Sequence, residues 1–170
     1  MATYKFCPVC ASGLVERPDN EGRVRVGCAD DTCGFMHWDN PLPVVAAIVE
    51  YEGRILLARN AAWPNGRFAL IAGFMERGEA PESAVAREIK EETSLDAEAV
   101  TLVGVYDFSR RNEVLMIYHV RASGEIKLSP ELAEYQLVEP AELRPWKAGT
   151  GPGLADWMRS QSLPVTFADW

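Results

Sequence analysis

The stretch from Gly73 to Leu95 constrains the fold of this chain more than any other part of its sequence. Its second half reads as a helix that advances about 100° per residue, so Glu88, Glu91 and Glu92 share one face. Like charges at these spacings cost about 0.2–0.5 kcal/mol per pair on an isolated helix. A solvated acidic face tolerates that cost, but carboxylates beside a strand that ends at a glycine also suit a hard divalent cation. The stretch therefore predicts a strand, a loop and an acidic helix around a cation site.

Four cysteines near the N-terminus form the second distinctive feature. They fall in two close pairs, Cys7-x2-Cys10 and Cys28-x4-Cys33. Because the chain begins without an apolar signal segment, we expect a reducing compartment, and there such pairs predict a tetrahedral zinc site rather than disulfides. Four thiolates leave no open coordination position, so the zinc is expected to be structural, with a redox pair as the alternative. Residues 1–38 are the predicted zinc ribbon.

Charge and composition narrow the class of protein. The chain has 170 residues, of which 48% are hydrophobic and 25% charged, as in a soluble globular protein. A net charge of −8 disfavours unspecific binding to nucleic acid or anionic membranes, although bridging cations can still hold a small anionic substrate. No apolar run approaches the roughly 20 residues of a membrane span. We expect a cytoplasmic protein with no membrane partner.

The apolar runs that follow the cysteines predict an α+β domain over residues 39–165. Two prolines make Trp38–Pro43 a linker, and the apolar run Val44–Val49 is typical of a buried central strand. Pro81 suits the first turn of the acidic helix, which should end near Thr93. Strands joined by hairpins, with one or two helices, predict a mixed sheet. The remaining predicted elements are strands at Val24–Val26, Arg54–Ala58, Phe68–Ala72, Val100–Val105, Val114–Val120 and Gln136–Val138, and a helix at Leu154–Ser160.

One long, position-specific pattern resembles the signature box of the Nudix hydrolases, which cleave nucleoside diphosphates linked to another moiety. The pattern reads Gly73-x5-Glu79-x7-Arg87-Glu88-Ile89-x-Glu91-Glu92-x-Ser94-Leu95. One position departs, because Ser94 replaces a glycine that ends the helix, where a left-handed residue is favoured. The resemblance implies an α/β/α sandwich with a mixed sheet, preceded here by the four-cysteine ribbon.

The resemblance also implies a set of metal-binding and catalytic acids for Mg²⁺ or Mn²⁺. It assigns Glu88, Glu91 and Glu92 to this set. The backbone around Ala72–Gly73 can add a neutral carbonyl oxygen, since glycine allows close approach. For the glutamates taken alone, an exposed helix face is the alternative interpretation.

Other charged residues are interpreted as supports of that set. Glu79 and Arg87 are predicted to form a structural ion pair that holds the loop to the helix. The family also uses a carboxylate from beyond the box, as a metal ligand or as the base that activates water. Glu134 is the first candidate for it, followed by Glu131 and Glu139, with a solvated surface acid as the alternative.

A ribbon directly before such a domain looks like two subgroups of the family. One is the NADH pyrophosphatases, which include decappers of NAD-capped RNA, and the other acts on ADP-ribose or FAD. Residues 68–76 and Gly149–Gly153 look like the first subgroup, but its SQPWPFPxS-like stretch is replaced here by Tyr106–Asn112. Within that segment Arg110 and Arg111 are candidates for binding phosphate or a ribose-linked group, with a solvated loop as the alternative.

Two aromatic residues are candidates for clamping a base. Phe74 matches a phenylalanine that stacks on the base in the resembling enzymes, and Trp38 occupies the place of an aromatic in their linker. Packing in the core or between the ribbon and the domain is the alternative for each. The two histidines, His37 and His119, are expected to be structural.

These observations predict a metal-dependent pyrophosphohydrolase that splits a dinucleotide-like substrate such as NADH, ADP-ribose or FAD into two monophosphates. Decapping of NAD-capped RNA is an alternative with the same chemistry, and nucleic acid is otherwise not expected as a partner. A non-catalytic nucleotide sensor is a further alternative, although sensors typically lose acids that this chain keeps. Related enzymes are often dimers, which makes a second copy of the chain a candidate partner.

Overall fold

The computed structural model describes residues 4–168, which divide into two compact units between Pro41 and Leu42. Residues 1–3 of the predicted ribbon lie outside the described residues. Within the described part, no helix is long and apolar enough to cross a membrane. Each unit is considered by itself below.

The first unit contains a three-stranded antiparallel sheet. Its strands are β1 (Leu14–Pro18), β2 (Val24–Cys28) and β3 (Met36–His37), and they lie in that order. The sequence predicted a strand only within β2. β1 escaped prediction because this small sheet buries little of it, and Val15 remains 46% exposed, so no apolar alternation marks the strand.

The second unit is a six-stranded mixed sheet with two helices. Its elements are β4 (Leu42–Tyr51), β5 (Arg54–Asn60), β6 (Ile71–Phe74), α1 (Pro81–Thr93), β7 (Asp96–Phe108), β8 (Glu113–Ser123), β9 (Leu132–Val138) and α2 (Gly151–Ser160). Five strands lie in the order β7-β8-β4-β5-β9, and β6 also pairs with β4. β4 and β8 run parallel, and the other pairs are antiparallel.

Two cores lie on opposite faces of this sheet because successive residues of β4 point to opposite sides. Val45, Ala47 and Val49 pack with the buried side of α1. Val44, Ala46 and Ile48 pack with α2. The helix residues in these cores are Ala84, Val85 and Ile89 of α1, and Leu154, Trp157 and Met158 of α2. The predicted sandwich with a mixed sheet is confirmed.

Several strands are longer than predicted, and the linker is shorter. β4 already includes Pro43, which aligns with Val114 of β8. The carbonyl of Pro43 accepts a hydrogen bond from Met75 N at 3.2 Å, so this residue faces the side where β6 ends at Phe74. Its missing N–H therefore removes no bond to β8, which is why a proline is tolerated there.

The end of α1 shows what Ser94 does in place of glycine. Ser94 adopts the left-handed conformation, with φ 63°, and its N–H donates to the carbonyl of Lys90. Its hydroxyl donates to the carbonyl of Lys127 at 3.1 Å. The helix therefore ends as it would at a glycine, and the side chain adds a bond to the segment that follows β8.

Candidate active site

The strand β6 brings Gly73 against the carboxylate of Glu88. A Cβ atom added to Gly73 would lie 2.0 Å from Cδ of Glu88, a distance that no real side chain tolerates. The strand cannot easily retreat, because Gly73 is paired with Val45 of the central strand β4. The side chain of Glu88 is only 13% exposed. The glycine is thus required by the close approach of this carboxylate to the backbone.

We expect Gly73→Ala to displace Glu88 and to lower any turnover that depends on it by about 10²-fold or more. The reason is that a displacement of a reacting group by about 1 Å can already lower the rate by about 10²-fold. The measurement is turnover together with circular dichroism of the folded variant. Gly13→Ala is the matched control, since a Cβ there meets nothing within 4 Å. Unchanged turnover of a folded Gly73→Ala variant would contradict the placement of Glu88 at the reaction centre.

Arg87 connects the loop before α1 to the acidic face of the helix. Its Nε and Nη2 atoms donate to the two oxygens of Glu79 at 3.1 and 2.8 Å, and Nη2 also reaches the carbonyl of Phe74 at 3.1 Å. Its Nη1 atom donates to Glu88 at 2.8 Å and to Glu91 at 3.1 Å. Hydrogen bonds from this guanidinium hold the pKa of Glu79 below its usual value. The same arginine thus contacts Glu79 of the loop and two of the box acids.

The three box glutamates line a cleft of about 270 Å³ together with Glu131. Burial, followed by the charges of Glu88, Glu131 and Glu91, raises the pKa of Glu92 to about 7. Burial also raises the pKa of Glu88, against the opposing effect of Arg87. Crowded, partly buried carboxylate oxygens of this kind are the donor set that a hard divalent cation prefers.

The segment after β8 reaches this cleft because its backbone is bonded to the end of α1. Lys127 N donates to the carbonyl of Thr93, and Ser129 N donates to that of Glu92, both at 2.9 Å. These bonds satisfy carbonyls that the last helical turn leaves free. They place Glu131, two residues further along, at the acidic face.

The pKa of Glu92 predicts a pH dependence of stability in protein that carries no ion at this cleft. Its folded pKa is about 7, above the usual value of 4.5, so the stabilisation that comes from the protonated form is complete below about pH 4.5. It is lost as the pH rises through about 7. We expect Glu92→Gln to flatten this decline, as measured by urea unfolding between pH 5.5 and 8. The wild-type chain is the control, and parallel stability curves would contradict the raised pKa.

The acid that the sequence placed first outside the box lies elsewhere. Glu134 belongs to β9, where it is in register with Arg59 of β5 and accepts a hydrogen bond from its Nε atom at 2.5 Å. Arg59 is 12% exposed, so this ion pair is a partly buried contact between strands. Neither Glu134 nor Glu139 is among the residues that line the acidic cleft, whereas Glu131 is. Sequence spacing could not reveal this, because the bonds to the end of α1 decide it.

A second, larger cleft has a volume of about 630 Å³ and is lined in part by Ala72, the residue before Gly73. Arg110 and Arg111 both line it, as do Trp63 and Trp146, which sequence reasoning did not identify. The two tryptophans lie far apart in the chain and belong to no motif, and only the proline beside each marks a loop. β6 thus lines the larger cleft through Ala72, and the adjacent Gly73 lies against Glu88 of the acidic cleft.

The two proposed base clamps have different surroundings. Phe74 is 52% exposed and pairs with Val44, which lines the larger cleft, so its side chain points to that face of the sheet. Trp38 belongs to the first unit, where the guanidinium of Arg25 lies 5.0 Å from its ring centroid. Arg25 also donates to the carbonyl of Trp38 at 2.8 Å. The structure thus places Phe74 beside the cleft and shows Trp38 stacked on an arginine of its own unit.

Both histidines contact neighbouring side chains. Nε2 of His119 lies 2.7 Å from Glu50, and its ring centroid is 5.2 Å from that of Trp157. His37 lies with its ring centroid 5.2 Å from that of Tyr4. Neither histidine is among the residues that line the acidic cleft, and their structural role stays a prediction.

The four cysteines of the first unit form a compact group of sulfur atoms, all within 4.8 Å of one another. The Sγ atoms of Cys7 and Cys33 are 3.7 Å apart, and those of Cys10 and Cys28 are 3.4 Å apart. A tetrahedral zinc with bonds of about 2.3 Å would separate its sulfurs by about 3.8 Å, whereas a disulfide measures about 2.05 Å. The geometry and the thiol donors therefore fit a metal ion. Hydrogen bonds from Ser12 lower the pKa of Cys10 to about 6, which favours a thiolate there.

Comparisons with known proteins agree with the fold and the box. A crystal structure of a NUDIX hydrolase from Nitrosomonas europaea aligns with a TM-score of 0.80 and 26% identity, over 97% of this chain and 99% of that one. An ADP-ribose pyrophosphatase from Streptococcus suis, 22% identical, shares the fold with a TM-score of 0.60 over 76% of this chain and all of its own.

Sequence relatives include the NAD-capped RNA hydrolase NudC of Vibrio atlanticus, which is 31% identical over 78% of this chain and 47% of its own length. The chain spans about half the length of such bacterial relatives. The sequence model of the NUDIX domain family matches residues 40–160, a range that includes the whole signature box. The chain therefore belongs to the Nudix hydrolase family.

Proposed function

We propose that this chain hydrolyses the pyrophosphate bond of a nucleoside diphosphate linked to another moiety. Water adds to one phosphorus, the bond from that phosphorus to the bridging oxygen breaks, and two monophosphate dianions and two protons are released. The observation that carries the proposal is the cleft that Glu88, Glu91 and Glu92 form with Glu131, next to Gly73. Membership of the Nudix family supports it.

Mg²⁺ or Mn²⁺ is the proposed catalytic cofactor, and Glu88, Glu91, Glu92 and Glu131 are its proposed carboxylate ligands. A backbone carbonyl near Ala72 and Gly73 would complete such a set. When bound, the ion would neutralise the diphosphate and make the attacking water more acidic. Glu131 replaces Glu134 as the preferred acid from outside the box, because only Glu131 lines the cleft.

The chain's own residues would prepare this site in three ways. Glu88 is held against the strand backbone and by Arg87, so its carboxylate cannot turn away freely. Glu92, with a pKa of about 7, can give up its proton to the solvent near neutral pH. Arg87 acts as a positioning residue that ties Glu79, and with it the loop, to the acidic face. These roles require no change in the fold.

The cysteine cluster is proposed to bind Zn²⁺ as a structural ion. All four cysteines can serve as ligands, which leaves no coordination position for a substrate. Since the first unit has only a small sheet, the ion would supply much of its stability.

Dinucleotide-like compounds such as NADH, ADP-ribose and FAD are the proposed substrates. The 5′ end of NAD-capped RNA is a second candidate, favoured by the relatives that are named as NAD-capped RNA hydrolases. Ala72 of β6 lines the larger cleft and the next residue, Gly73, lies against Glu88, which supports the larger cleft as the proposed place for one half of such a substrate. The cytoplasmic location and the homodimer stay predictions.

The test is a panel of NADH, ADP-ribose, FAD and a short NAD-capped RNA, each incubated with the purified chain and Mg²⁺ or Mn²⁺. We expect release of two monophosphates from at least one compound, identified by mass spectrometry. The absence of products from every compound at high enzyme concentration would overturn the proposal. Cleavage of the RNA alone would favour the second candidate.

A further inference from the structure

The larger cleft is positively charged although the protein is acidic. Four basic side chains and one carboxylate line it, which gives 4 − 1 = +3, whereas the whole chain carries −8. Positive side chains gathered in a concave site focus the electrostatic field and attract anions. The lining residues concerned are Arg67, Arg110, Arg111, Lys147 and Glu113.

Two of these cations carry charge that the protein does not neutralise locally. Arg111 is paired with Glu113, with 3.1 Å between Nε and the carboxylate. Among residues 4–168, no ion pair involves Arg110 or Lys147. These two side chains are exposed, both line the cleft, and they come from two segments, one before β8 and one before α2. An anion bound between them would gain charge-assisted hydrogen bonds.

The start of α2 adds a second feature that favours an anion. Gly149 and Thr150 line the cleft, and the helix of ten residues begins directly after them at Gly151. No side chain caps this N-terminus. Gly151 N already donates to the carbonyl of Ala148, and Pro152 has no N–H, so the contribution comes from the helix dipole. The dipole adds positive potential on the side of the cleft that Lys147 lines.

The rest of the lining suits a nucleoside. Trp63 and Phe108 present aromatic surface to the cleft, and Trp146 forms part of its buried wall. A volume of about 630 Å³ is in the range of small-molecule sites and holds one nucleoside with a substituent. The cleft therefore offers a place for a base and, beside it, a place for an anion.

We propose that this cleft binds a phosphate monoester on the ribose of the substrate, so that the chain prefers nucleoside diphosphate derivatives that carry this additional phosphate. The scissile diphosphate would lie at the acidic cleft, and the additional phosphate between Arg110 and Lys147. This inference rests on the proposed function. A small phosphorylated dinucleotide fits better than RNA, because a net charge of −8 opposes the approach of a long polyanion.

The test compares compounds that differ by a single phosphate. NADP⁺ against NAD⁺, and coenzyme A against dephospho-coenzyme A, are measured for kcat/KM with the wild-type chain and for binding by calorimetry with Glu92→Gln. We expect the phosphorylated member of at least one pair to be favoured by about 10- to 100-fold in both measurements. The preference should fall as salt rises from 0.05 to about 0.5 M, because the cations are exposed.

Two sets of variants test whether the preference for the phosphorylated compound comes from this cleft. Arg110→Gln combined with Lys147→Gln should bring the ratio within each pair close to one, whereas Arg121→Gln, an exposed arginine of β8 that does not line the cleft, should leave it unchanged. Equal binding and equal kcat/KM within both pairs would overturn this inference and leave the proposed hydrolysis intact. Preferential binding without any turnover would instead support the inference and count against the proposed function. A preference for NAD-capped RNA over both pairs would assign the cleft to a polynucleotide and overturn it as well.

Discussion

Glu92→Gln lowers kcat of the proposed pyrophosphohydrolase by roughly 10²–10⁴-fold, the range expected when a charged group at the reaction centre is lost. The substitution keeps the size of the side chain and removes a carboxylate whose pKa is raised to about 7, chiefly by burial and then by the charges of its neighbours. The fold should persist, because a neutral amide relieves repulsion from Glu88 and Glu131. The measurement is kcat with the best substrate of the panel at saturating Mg²⁺.

Two controls make this result specific. Glu98→Gln changes an exposed acid of β7 outside the cleft and should leave kcat within about twofold. Glu131→Gln should lower kcat or weaken Mg²⁺ binding much more than Glu134→Gln, whose amide oxygen can still accept the bond from Arg59. A larger effect of Glu134→Gln than of Glu131→Gln would instead indicate Glu134 as the acid from outside the box. Near-normal kcat in Glu92→Gln would mean that the metal site is misplaced.

Cys28→Ser abolishes the zinc site and unfolds the first unit, because binding of a structural zinc contributes about 10–16 kcal/mol at neutral pH in small domains. Cys28 is fully buried in this unit, so no substitute ligand can reach the same place. We expect less than one zinc ion per chain by elemental analysis and loss of amide hydrogen-exchange protection in β1, β2 and β3. Protection in β4 to β9 should persist, since that sheet has two cores of its own.

Thr32→Ser, beside Cys33 but outside the sulfur cluster, is the control and should keep both zinc and protection. Retained protection of β2 without bound zinc would show that the ribbon folds without the ion. If instead the ribbon stays folded with its zinc and only turnover is lost, the role of Cys28 is not structural.

Local patterns in the sequence predicted the parts of the molecule that depend on residues close together in the chain. The box predicted α1 and its acidic face, because helix periodicity places Glu88, Glu91 and Glu92 together whatever surrounds them. The cysteine spacing predicted a sulfur cluster, which the structure contains. The apolar run from Val44 predicted the central strand β4.

Features that depend on distant contacts were beyond such reasoning. The preference for Glu131 over Glu134 follows from the hydrogen bonds that the segment at Lys127 and Ser129 makes with the end of α1. The walls of the larger cleft combine Trp63 and Trp146, which only the sheet topology brings together. No pattern of residues close together in the sequence predicts the position of Glu131 or the walls of the larger cleft.

Adjacent residues of β6 lie against Glu88 on one face of the sheet and line the larger cleft on the other, and this has a consequence for how the protein can diverge. Gly73 faces Glu88, and a side chain there would displace this carboxylate from its position. Ala72 points to the opposite side, into the larger cleft, where a different side chain would alter its shape. The alternation of one short strand therefore separates the position that preserves the reaction from the position that selects the compound. New substrates can be acquired on one side of β6 while the other side stays untouched.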